Sequence, residues 1–85
     1  MKIEFNFATG DSNSRIHTVL VNDALFGVLV IRKNPDFQNK CVWSVFDEEG
    51  MLVDGGYGEE YDSFYVKAEI KEILEETLKG EYGYE

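Results

Sequence analysis

The chain has few residues that could cross-link it, anchor it in a bilayer or build a nucleophilic site. It contains one cysteine, one proline and one histidine among 85 residues. The single thiol, Cys41, cannot form a disulfide within the chain, so stability must come from packing. No run of about 18 apolar residues is present, so no transmembrane helix is predicted. Because Glu4 stands where an export signal would be apolar, we expect a cytoplasmic protein.

Basic residues are also scarce. The chain has 8 bases against 17 acids, a formal net charge of −9. Residues 1–46 carry a net charge of +1, whereas residues 47–85 carry −10, with thirteen acids and three bases. A surface of this sign repels phosphate backbones and attracts basic protein surfaces. We therefore expect no direct contact with nucleic acid or membrane, and a basic protein surface as partner.

The remaining composition is that of a globular protein, with 44% hydrophobic and 14% aromatic residues. This is too apolar for a disordered acidic segment, and the length suits a single domain over residues 1–85. Alternating apolar residues, followed by apolar residues at helical spacing, predict an α+β fold. It consists of an antiparallel sheet of four to five strands followed by one C-terminal helix packed on one face. The predicted strands cover residues 2–8, 16–22, 25–32, 41–47 and 51–55, the helix 63–79 and a frayed tail 80–85.

Local signals set the predicted boundaries of these elements. Asn22 and Asp23 tolerate positive φ and indicate a hairpin turn, and Gly50 favours a left-handed backbone in the last turn. The glycine-rich segment 55–58 is interpreted as a flexible strand exit. An N-cap at position 62 or 63 and a glycine stop at position 80 bound the helix.

The second and third predicted strands are apolar on both faces. In the third strand, Leu25 and Leu29 are expected on one face and Phe26, Val28 and Val30 on the other. A single helix covers only one face of an antiparallel sheet, so something else must cover the second. Curvature and loops are one explanation. A second copy of the chain is another, which makes a homodimeric structural or adaptor module the alternative function.

Catalytic and metal-binding patterns are weak. His17 lies within a predicted strand with no nucleophile signature near it, and Cys41 is expected to pack as a small hydrophobe. The acids around the last turn lack the spacing of a calcium loop. We therefore expect no enzyme, no metal and no cofactor.

The strongest functional signal is an acidic and tyrosine-rich second half, which holds all five tyrosines. Helix glutamates spaced by three and four residues form a row, and a dense acidic and aromatic stretch precedes them. Tyr57 and Tyr61 are the expected anchoring contacts, and Tyr65 or Phe64 is expected to help complete the core. The candidate partner-binding residues are Asp47, Glu48, Glu49, Tyr57, Glu59, Glu60, Tyr61, Asp62, Glu69, Glu72 and Glu76.

In length, charge, glutamate row and the stretch from Tyr57 to Tyr65, the chain resembles small acidic accessory proteins of bacteriophages, including anti-CRISPR and anti-restriction inhibitors. The resemblance is one of type, because those inhibitors share no common motif. It implies a phage protein that inhibits a basic, nucleic-acid-binding partner, such as a CRISPR effector or restriction enzyme, in the host cytoplasm. Electrostatic and steric occlusion, including nucleic-acid mimicry, is the implied mechanism.

Overall fold

A computed structural model describes residues 1–37, 39–61 and 64–85, with only the backbone described at position 64. Five strands precede one helix, and each strand pairs antiparallel with the next along the chain. The expected α+β fold is confirmed. The elements are β1 Ile3–Gly10, β2 Ser14–Val21, β3 Ala24–Lys33, β4 Cys41–Asp47, β5 Leu52–Gly58 and α1 Phe64–Glu81.

The helix packs one row of apolar side chains against one face of the sheet. These side chains recur every four residues, at Val66, Ile70, Leu74 and Leu78, and all four are buried. Each buried aliphatic side chain contributes about 1.5–3 kcal/mol, so this single layer is the main source of stability. The sheet residues of the same cluster are Ile3, Val19, Val21, Leu29, Ile31, Cys41, Trp43 and Val45.

The opposite side of the sheet, here called the outer face, has no helix over it among the described residues. It carries apolar side chains from strands β2 to β5, each half-buried by its neighbours or exposed. Both faces of β3 are therefore apolar, as expected. The apolar residues of the outer face are Ile16, Leu20, Leu25, Val28, Val30, Val42, Phe46, Leu52 and Tyr57.

The expected sides of Leu25 and Phe26 were wrong. A β-bulge shifts the register of β2 and β3 at this point, and the extra residue reverses the alternation of side chains. Phe26 consequently packs on the helix side, edge to face with Tyr82 at 6.0 Å and with Tyr84 at 6.5 Å. Leu25 lies on the outer face and is 54% exposed.

The turns have the backbone geometry predicted from the sequence, whereas the glycine-rich segment differs from its prediction. Asn22, Asp23 and Gly50 have φ values of 50°, 68° and 83°, as expected. The segment 55–58, however, belongs to β5, which was expected to end at residue 55. A Cβ at Gly56 would lie 3.1 Å from the Trp43 ring, so absence of a side chain lets the two strands close over the indole.

The end of the helix also differs from expectation. The helix continues through Gly80 to Glu81, and the left-handed residue is Gly83, with φ of 71°. The amide of Tyr84 donates to the carbonyl of Leu78, and the Tyr84 side chain is half-buried against the core. Part of the expected frayed tail is thus folded back on the domain. The expected N-cap positions 62 and 63 lie outside the described residues.

Candidate functional site

Four exposed side chains line up along the solvent side of α1. They follow one another at intervals of four, three and four residues, which places neighbours about 5–6 Å apart on one side of a helix. From first to last the row is about 16 Å long. We call this row the helix stripe, and it consists of Tyr65, Glu69, Glu72 and Glu76.

The charge of the helix stripe is not compensated nearby. Within the part of the chain that the structure describes, no salt bridge involves its three glutamates. Neighbouring lysines have other contacts: Lys79 pairs with Glu75 at 3.3 Å, and the ammonium of Lys71 lies 5.8 Å from the ring centre of Phe5. The row therefore presents negative charge to solvent.

Tyr65 is the member of the stripe that sequence reasoning missed. Either Tyr65 or Phe64 was expected to help complete the core; 78% of the surface of Tyr65 is exposed, and the side chain of Phe64 lies outside the described residues. Its position four residues before Glu69 was the available signal, because that interval places both on one helix face. The ring adds an aromatic contact surface to the N-terminal end of the glutamate row.

Two further acids precede the helix. Glu59 and Glu60 are both exposed, and Glu59 pairs with Lys40 at 3.4 Å. They follow β5 and so lie at the end of the sheet where the helix begins. Asp62, the next predicted acid, lies outside the described residues.

Tyr61, which was predicted to supply an anchoring contact, is buried in the structure. Only 5% of its surface is exposed, and its amide donates to the carbonyl of Asn39 at 2.8 Å. The Arg15 guanidinium and the Lys33 ammonium lie 4.7 Å and 5.4 Å from its ring centre. The two cations beside the buried ring hold Tyr61 within the domain through cation–π contacts.

The predicted acids of the turn between β4 and β5 lie at the end of the sheet opposite the start of the helix. Thr77, late in α1, donates to Asp54 at 2.6 Å, so the turn before β5 is near the helix C-terminus. Asp47 has a structural role, since one of its carboxylate oxygens accepts two amides of this turn at 2.9 Å and 3.0 Å. Glu48 and Glu49 remain exposed.

Tyr57 is separated from the helix stripe by the thickness of the domain. It pairs with Val42 across β4 and β5, is 77% exposed and belongs to the outer face. The predicted site is therefore divided into a helix stripe extended by Glu59 and Glu60, a distant turn, and a tyrosine on the opposite side.

The two reactive side chains weighed in the sequence are both buried. His17 is 1% exposed and contacts Phe7 edge to face at 5.7 Å. Burial, reinforced by Lys67 and Arg15, lowers the pKa of His17. Burial likewise raises the pKa of the Cys41 thiol, which keeps it protonated. Both groups are therefore shielded from solvent.

The histidine, cysteine, aspartate and glutamate side chains of the described residues form no group of three or more that could hold a metal ion. In residues 1–37, 39–61 and 64–85, no helix has the length and apolar character needed to span a bilayer. Comparison with protein-family models, curated proteins and solved structures finds no match.

Proposed function

We propose that this chain is a non-catalytic acidic binding protein that inhibits a basic, nucleic-acid-binding partner, such as a CRISPR effector or a restriction enzyme. The observation that carries the proposal is the helix stripe, whose glutamates are exposed and form no salt bridge among the described residues. Carboxylates about 5–6 Å apart pair with lysines and arginines that otherwise hold phosphates. The bound protein then blocks the partner's groove as a nucleic-acid mimic, in the host cytoplasm of a phage-infected cell.

The energetics of the helix support a binding role for these acids. Like charges three or four residues apart each cost a helix about 0.2–0.5 kcal/mol. Glu69, Glu72 and Glu76 therefore weaken the element that carries them. Tyr65 supplies an aromatic anchor beside the charges, because tyrosine buries a large rigid surface at small entropic cost.

The test is a panel of purified CRISPR effectors and restriction endonucleases, scored for inhibition of DNA cleavage. The variant Glu69→Gln/Glu72→Gln/Glu76→Gln removes the charge of the stripe and keeps its size. A matched control, Asp36→Asn/Glu81→Gln/Glu85→Gln, changes net charge equally at exposed positions elsewhere. We expect inhibition to be lost in the stripe variant and kept in the control.

Affinity for the inhibited enzyme is then measured at low and high salt. Binding by paired charges should weaken steeply as salt rises, since exposed charges are screened beyond about 8 Å at physiological ionic strength. Affinity that is unchanged by salt, equal losses in both triple variants, or no inhibition across the panel would each reject the proposal.

A further inference from the structure

We infer that a second copy of this chain covers the outer face, so that two sheets pack face to face about a two-fold axis. The face is contiguous across β2 to β5, and its rim is open to solvent. Leu25, Leu52 and Tyr57 are 54%, 65% and 77% exposed. Monomeric proteins rarely leave contiguous apolar patches of several hundred Å² uncovered.

The area of the face suits a small dimer. Four strands about 4.8 Å apart, each about eight residues long, form a face of roughly 500 Å². Two such faces bury roughly 1,000 Å² when they pack, which is the lower end for a specific interface. A weak, reversible dimer is therefore expected rather than an obligate one.

Charge identifies a second copy as the occupant. Among the described residues, the centre of the outer face carries no charged side chain, because the two middle rows contain Ile16, Val30 and Ser44, then Thr18, Val28 and Phe46. A strongly charged partner would find nothing to pair with there. The outer face of a second copy is equally apolar, and packing the two faces together removes apolar surface from water.

The same arrangement keeps the acidic surfaces apart. With about 10 Å between packed sheets and a helix layer about 10 Å thick on each side, the two helix stripes lie roughly 30 Å from one another. That distance exceeds the screening length of about 8 Å at physiological salt. Repulsion between the two helix stripes is therefore small, although each chain has a net charge of −9, and the dimer presents its helix stripes on opposite sides.

Sedimentation equilibrium from about 10 µM to about 1 mM tests the inference, since weak association is visible in that range. The mass should rise from 9.8 kDa towards that of a dimer. Leu52→Glu places a charge in the interface at a side chain exposed enough to tolerate it, and should raise the dissociation constant at least about tenfold. Val28→Lys, in the centre, should do the same.

Phe37→Glu is the control, because this residue is 59% exposed in the loop before β4 and the change of charge is identical. It should change the dissociation constant by less than about twofold, within the small effect of an exposed substitution. Added salt should leave the dimer unchanged or strengthen it, opposite to binding through the helix stripe. A monomer at all concentrations, a dimer insensitive to Leu52→Glu and Val28→Lys, or equal weakening by the control would overturn the inference.

Discussion

Gly58 and Cys41 face each other across β5 and β4, and substituting both measures how tightly the core is packed. A Cβ at Gly58 would lie 2.5 Å from the Cys41 sulfur and 3.3 Å from a Val66 methyl group. The cysteine has no exposed surface, so its sulfur cannot move into solvent. We expect Gly58→Ala to lower the free energy of unfolding by about 1–3 kcal/mol, the usual cost of overpacking.

The second substitution relieves the clash. Cys41→Ala alone should cost about 1 kcal/mol, as for removal of one methyl-sized buried group. With alanine at both positions, the new methyl group occupies the space of the lost sulfur, so the two costs should not add. The expected coupling energy is about 1 kcal/mol or more. Urea unfolding followed by fluorescence of Trp43, the single tryptophan and 2% exposed, measures all four proteins.

Gly80→Ala is the matched control for loss of a glycine. Gly80 lies within α1, and a Cβ there meets nothing within 4 Å. Alanine should therefore raise the free energy of unfolding by about 0.5–1 kcal/mol through helix propensity. Costs at Gly58 and Cys41 that add within about 0.5 kcal/mol would refute the packing argument, as would a destabilising Gly80→Ala.

Two further outcomes concern His17 and Asp47. Burial, with Lys67 and Arg15, holds the pKa of His17 below its ordinary value of 6.5, so the unfolded chain binds the proton more readily and stability falls as pH drops below that value. His17→Leu should flatten the dependence of the unfolding free energy on pH between about pH 6.5 and about pH 5. This window lies above the range where carboxylates titrate. A slope unchanged by the substitution would show that His17 does not cause the fall in stability. Asp47→Ala should cost about 1 kcal/mol in urea unfolding, since two turn amides lose their acceptor, whereas Asp47→Asn keeps an acceptor oxygen and should cost less than half as much. An alanine variant as stable as the wild type would show that the turn does not depend on this carboxylate.

The sequence pattern alone predicted those features whose stabilising contacts are close in sequence. Alternation in β2 and β4 and the four-residue spacing in α1 reflect the side-chain periods of a strand and a helix, which do not depend on distant residues. The same holds for Asn22 and Asp23, whose positive φ values belong to the turn itself.

The candidate site was predicted less well, because exposure depends on what packs nearby. Tyr57, Tyr61 and Tyr65 are spaced by four residues and share an acidic neighbourhood in sequence. In the structure they lie on the outer face, in the core and on the helix stripe respectively. Only the arrangement of β5 and α1 around the sheet distinguishes them.

The sequence by itself determined the fold class, the position of the excess charge and the glutamate row, all of which follow from composition and short-range periodicity. The tertiary structure decided which strand residues face the helix, because one bulge at Phe26 reverses the alternation. It also decided that residues 55–58 form a strand, because Gly56 and Gly58 admit the side chains of Trp43 and Cys41. Such close contacts join residues far apart in the chain, so no local pattern records them.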